Sequence, residues 1–151
     1  MVACAIFVHF SFLFAQYLLH LSWKCGMITA ISKDGRDSMS VPYENRTVDF
    51  YHRDDRSSKL ACSAHLHIHI ELFYLLEGRT RAYIDSSEYT VEPGDILVAF
   101  PNQVHRYETS SYEDAWLIIF PKEICPEFNS WFKNCVPRSN VLPSAQIKSE
   151  T

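Results

Sequence analysis

The sequence has no cluster of basic residues and no C-x-x-C pair. The first absence, with a formal net charge of −4, argues against direct nucleic-acid contact by this chain, because phosphate binding needs grouped Lys and Arg. The second leaves no zinc knuckle or redox motif. The five cysteines, Cys4, Cys25, Cys62, Cys125 and Cys135, are odd in number and widely spaced. Mostly reduced thiols and a cytoplasmic location are therefore expected. Glycine is scarce as well, four residues against ten Phe and eight Tyr, a balance that leans toward β-structure. An apolar fraction of 47 % argues against disorder. The 151 residues suffice for one domain with a real core.

Charge is missing from one segment altogether. Residues 1–23 contain no Asp, Glu, Lys or Arg, and Lys24 is the first formal charge. Three readings stand for this segment. It is a translated extension upstream of Met27 or Met39, a signal or membrane anchor without the usual basic n-region, or a packed helix. His9, Gln16 and His20 would share one stripe of that helix. The expected division is an N-terminal extension over 1–40, a barrel domain with a covering helix over 41–136, and a linker or tail over 137–151.

From Val48 onward, short apolar runs alternate with turn signals, as in an all-β sandwich or barrel. The expected strands are Val48–His52, Leu60–Leu66, Ile70–Glu77, Arg81–Asp85, Glu88–Val91, Ile96–Phe100, Val104–Glu108 and Ala115–Phe120. Pro93-Gly94-Asp95 is a strong turn. Phe128, Trp131 and Phe132 fall at i, i+3 and i+4, which predicts a short helix over one barrel end or at a dimer face.

The chemistry lies in residues 65–78, HLHIHIELFYLLEG. In a strand, His65, His67, His69 and Glu71 share one face, and Phe73 continues it toward a pocket. A straight strand would hold His65 and Glu71 roughly 20 Å apart, whereas ligands of one ion lie within a few ångströms of each other. The chain must therefore bend near Ile68–Ile70 if these residues are to form one site. His105 would join from a neighbouring strand. Two readings remain open: pocket residues that hydrogen-bond a polar ligand, or a ligand set of His65, His67, Glu71 and His105 for Fe, Mn, Ni or Zn.

The spacing H-x-H-x-x-x-E-x-x-x-x-x-x-G at His65, His67, Glu71 and Gly78 resembles the first cupin motif. Gly94, Pro101 and His105 in GDILVAFPNQVH resemble the second, with Gln103 where that motif has a glycine. The runs ELFYLLEG and VEPGDILVAFPNQVH are similar to the N-terminal sensor domain of AraC/XylS-type transcription regulators. The resemblance covers roughly residues 48–132. It implies a cupin double-stranded β-helix (jelly-roll) barrel with a short C-terminal helix. It also implies a small-molecule effector, such as a sugar or other polar metabolite, and a homodimer. In such regulators a separate helix-turn-helix half reads DNA; the residues after Phe132 do not resemble one. The leading expectation is such a sensor domain, with no cofactor required. The alternative is a small metal-dependent cupin enzyme, a dioxygenase or isomerase.

Overall fold

The computed structural model describes residues 23–25, 41–45, 51–55, 62–109 and 113–148. Residues 1–22, Met27, Met39 and the start of the expected strand Val48–His52 lie outside them. Strands are β1 (Trp23–Cys25), β2 (Tyr51–Asp55), β3 (Cys62–His65), β4 (Ile70–Glu77), β5 (Thr80–Ile84) and β6 (Ser87–Val91). They continue as β7 (Ile96–Ala99), β8 (His105–Thr109), β9 (Asp114–Phe120), β10 (Cys135–Pro137) and β11 (Val141–Leu142). A five-stranded sheet runs β11-β7-β4-β9-β2, a four-stranded sheet runs β3-β8-β5-β6, and β1 pairs with β10. Within the two larger sheets every pairing is antiparallel. This is the expected all-β jelly-roll of two antiparallel sheets.

The two sheets close on a shared core of Phe73, Leu75, Ala82, Ile84, Val91, Leu97, Ala99, Tyr107, Ala115, Leu117 and Ile119. Alternate residues of the same strands, among them Ile70, Leu72, Val98, Ile118 and Phe120, form a second cluster on the other face of the five-stranded sheet. A strand covered on both faces needs an unbroken apolar run rather than alternation. That requirement explains why β4 reads Ile-Glu-Leu-Phe-Tyr-Leu-Leu-Glu, with Glu71 as its one buried polar residue.

The covering layer departs from expectation. Phe128, Trp131 and Phe132 do form a helical surface, with a short helix at Asn129–Asn134. They pack on the outer sheet face beside Phe100 and Ile118, not over a barrel end. The segment expected as a linker or tail is also built into the fold. Val141 and Leu142 pair with Leu97 and Ile96, and a short helix spans Ser144–Lys148. Leu142 contributes apolar area to the outer cluster, and Asn140 is buried. The polar composition of this stretch concealed two specific anchors. Asn140 Nδ2 donates to the Val98 carbonyl at 2.7 Å, and the Ser144 N–H donates to Asp95 Oδ1 at 2.8 Å.

Turn chemistry follows the sequence closely. Gly94 has φ +89°, and a Cβ there would stand 3.0 Å from Ser144 Cβ, so glycine serves both conformation and close packing. Asp85 takes φ +52° in the β5–β6 hairpin, a tolerated choice for Asp. Among cysteines with described side chains, Cys62 and Cys125 are free as expected, whereas Cys135 is disulfide-bonded. Among the described residues, no helix is long and apolar enough to cross a membrane.

Asn140→Ala removes donors to the Val98 carbonyl and to Gln103 Oε1 and leaves buried acceptors short of partners. We expect a loss of about 2 kcal/mol, read as a lower urea midpoint with an unchanged m-value. An unaltered midpoint would mean that the segment is not packed as described.

Candidate metal centre

Four side chains from three places in the fold converge. His65 ends β3 and lies opposite His105, the first residue of β8, in the strand register. The register shifts between Cys62 and His65, so β3 bulges as it reaches the site. The chain then bends at Ile68 and His69 before entering β4 in the other sheet. This is the bend that the spacing demanded. Glu71 follows on β4, opposite Ala99 on one side and Ile119 on the other. One potential ligand atom from each of His65, His67, Glu71 and His105 lies within 4.8 Å of the others.

The ring orientations are set by the main chain. His65 Nδ1 meets the Ser63 carbonyl at 2.9 Å, His67 Nδ1 the His69 carbonyl at 3.1 Å, and His105 Nδ1 the Gln103 carbonyl at 3.0 Å. A carbonyl only accepts, so each Nδ1 carries the proton and donates it. In the neutral ring each Nε2 is then a lone pair. Two of them face the same carboxylate oxygen: His67 Nε2 lies 3.1 Å and His105 Nε2 3.5 Å from Glu71 Oε2. A hydrogen bond from either Nε2 requires a second ring proton. His105 Nε2 makes no hydrogen bond and is buried.

Burial sharpens this. Only 1 % of His67, 1 % of His105 and 2 % of Glu71 is exposed. Burial alone would push the Glu71 carboxyl up; the contacts from His105 and His67, the His105 charge and the Tyr107 hydroxyl outweigh it and hold it well below the usual carboxylate range. Burial likewise pulls His105 down, yet Glu71 holds it above its ordinary value. Both shifts describe a buried anion that draws positive charge to the Nε2 atoms. A divalent cation meets the same demand while leaving the imidazoles neutral, and three imidazoles with one carboxylate suit Fe, Mn, Ni or Zn. The donor set and the orphaned His105 Nε2 fit a metal.

Supporting groups fix the set from outside. The Tyr107 hydroxyl donates to Glu71 Oε1 at 2.7 Å, and its ring stacks on Phe73 with centroids 5.4 Å apart. The loop before His105 is held through Gln103: its Oε1 accepts from the Phe100 N–H at 2.9 Å and from Asn140 Nδ2 at 2.7 Å. Gln103 Nε2 donates to Asp85 Oδ2 at 2.9 Å. The residue standing in place of the motif glycine thus braces the site rather than disrupting it. The Asn102 N–H also ties this loop to the His67 carbonyl at 2.8 Å.

Of the residues expected at the site, His69 is not one of the four. It is buried and contributes its carbonyl to His67. Phe73 lies in the inner core behind Glu71. The sequence leaves Tyr107 ambiguous between pocket and core and does not mark Glu44, which lies 3.5 Å from His65 Nε2. Cys62 sits across the strand pair from Tyr107. Burial, with the charges of Glu71 and Glu44, pushes its thiol up to about 11, and it is not one of the four clustered ligand groups.

Residues 58–120 match the family model described as Cupin domain, and a cupin domain is present in this chain. Over 87 residues the chain is 31 % identical to quercetin 2,3-dioxygenase of Bacillus subtilis (strain 168), covering 58 % of this chain and 20 % of that protein. The chain thus spans about a fifth of the length of the curated relative it matches. Among solved structures, a variant oxalate decarboxylase from Bacillus subtilis is similar at 18 % identity and TM-score 0.42, over 50 % of this chain and 22 % of that one. KdgF from a Halomonas species is similar at 16 % identity and TM-score 0.39, over 48 % of this chain and 79 % of that one.

Tyr107→Phe keeps the stacked ring and removes the hydroxyl that orients Glu71. Divalent-metal affinity is expected to fall about tenfold, the low end for an outer-sphere partner, by competition with a chelating dye. Equal affinity in the two proteins would remove Tyr107 from the account.

Proposed function

We propose that this cupin domain holds one Fe(II) or Mn(II) ion on His65, His67, Glu71 and His105 and works as the metal centre of a dioxygenase acting on a small organic substrate. The observation that carries the reading is the clustering of three histidines and Glu71, with Nδ1 protons held by main-chain carbonyls and the Nε2 atoms of His67 and His105 turned toward Glu71. A pocket for a polar effector gains nothing from buried lone pairs aimed at an anion, since unsatisfied buried groups cost free energy. The identity to quercetin 2,3-dioxygenase supports the same reading.

Such an ion supplies open coordination positions, charge stabilisation and one-electron chemistry. The chain's own contribution is placement. Glu71 supplies the fixed negative charge, and the Tyr107 hydroxyl holds its second oxygen away from the site. Phe73, Tyr107 and the apolar inner core close the barrel behind Glu71 and exclude water from that side. His65 is partly exposed and the other three are buried, so substrate would approach from the His65 side.

A second reading keeps the resemblance of the Glu71–Gly78 and Val91–His105 runs to AraC-type sensor domains. There the same four groups bind a polar effector such as a sugar, without an ion, in a homodimer. Metal content separates the two. The dioxygenase reading predicts stoichiometric Fe or Mn in reconstituted protein and oxygen uptake with a flavonol such as quercetin. His67→Ala should lose both. Protein that binds no divalent ion, but whose Tm rises with a sugar or related metabolite, would contradict the dioxygenase and favour the sensor.

A further inference from the structure

A second carboxylate lies beside one of the four groups, outside the cluster itself. Residues 41–45 form a strap that pairs with Leu66, the residue between two of the histidines. Tyr43 and Leu66 form a parallel bridge. The Glu44 N–H donates to the Leu66 carbonyl at 2.8 Å, and the Leu66 N–H donates to the Pro42 carbonyl at 3.2 Å. This pairing delivers Glu44 Oε2 to 3.5 Å from His65 Nε2. His65 Nδ1 already donates to Ser63, so the atom that Glu44 faces is a lone pair in the neutral ring. A carboxylate oxygen and an imidazole lone pair repel each other unless a positive species lies between them. The same conflict recurs on the inner side, where Glu71 faces His67 and His105.

We propose that Glu44 is a fifth, exchangeable protein ligand of the metal, carried by the strap on the solvent side of the centre. This rests on the metal-binding reading of His65, His67, Glu71 and His105. The two carboxylates differ in setting: 39 % of the Glu44 side chain is exposed, against 2 % for Glu71. Glu71 would therefore be the permanent anionic ligand, and Glu44 the exchangeable one. With both bound, a divalent ion and three neutral imidazoles carry no net charge, which suits a closed resting centre.

The test uses Mn(II) alone, as both titrant and probe, in the full chain and in Glu44→Gln. The variant keeps the size of the side chain and both strap hydrogen bonds, which are made by main-chain atoms. Wild-type protein should bind one Mn(II), and E44Q should bind it about tenfold more weakly. Water-proton relaxation should show an additional manganese-bound water in E44Q, because water replaces the lost carboxylate. Glu44→Asp, which retains a shorter carboxylate, should recover part of the affinity. Equal affinity and relaxivity in wild type and E44Q would overturn the inference while leaving the four-residue centre intact. Weaker binding with unchanged relaxivity would also overturn it, since a charge acting at a distance recruits no water. Failure of the wild-type chain to bind Mn(II) would overturn the centre itself, and Glu44 with it.

Discussion

Three imidazole protons given to main-chain carbonyls are the constraint on which the rest of this site depends. Once the Nδ1 atoms of His65, His67 and His105 are committed to the carbonyls of Ser63, His69 and Gln103, each Nε2 must look inward as a lone pair or take a second proton. Beside a buried Glu71, a lone pair calls for a cation and a second proton supplies one. The carbonyls belong to residues two positions away in the chain, so local backbone conformation alone determines the ring orientation.

The fold exists around this demand in a recognisable way. Covering the five-stranded sheet on both faces lets β4 place a carboxylate in an otherwise apolar run without exposing it to water. The inner face supplies Tyr107 to hold that carboxylate, and the outer face supplies the packed C-terminal segment. Asn140 connects the two, because it binds both the Val98 carbonyl and Gln103 Oε1. A residue near the end of the chain therefore helps position the loop that delivers His105.

Much of this was legible in the sequence. The β-run and turn pattern from residue 48 onward pointed to the all-β class, and the spacing of His65, His67, Glu71 and His105 marked four side chains that the fold brings together, with the bend near Ile68. What stayed hidden depends on long-range pairing. Tyr107 looks like any core aromatic until β8 is set beside β3 and β5. Glu44 is one acidic residue among many until the strap pairs with Leu66. Asn140 and Ser144 sit in a polar stretch whose composition suggests a tail, and only the hydrogen bonds to Val98, Gln103 and Asp95 reveal its packing. His69 shares strand parity with the ligands, yet the same bend that brings Glu71 in leaves it outside the four and turns its carbonyl toward His67.

The most direct test is the tautomeric state of the three histidines, read by long-range nitrogen–proton NMR on the zinc-loaded chain. Zinc is diamagnetic and suits the same donor set. The account predicts that His65, His67 and His105 each carry a proton on Nδ1 and none on Nε2, with all three Nε2 resonances shifted by the metal. A proton on Nε2 of any of the three, or no change on adding zinc, would contradict the inward-facing lone pairs.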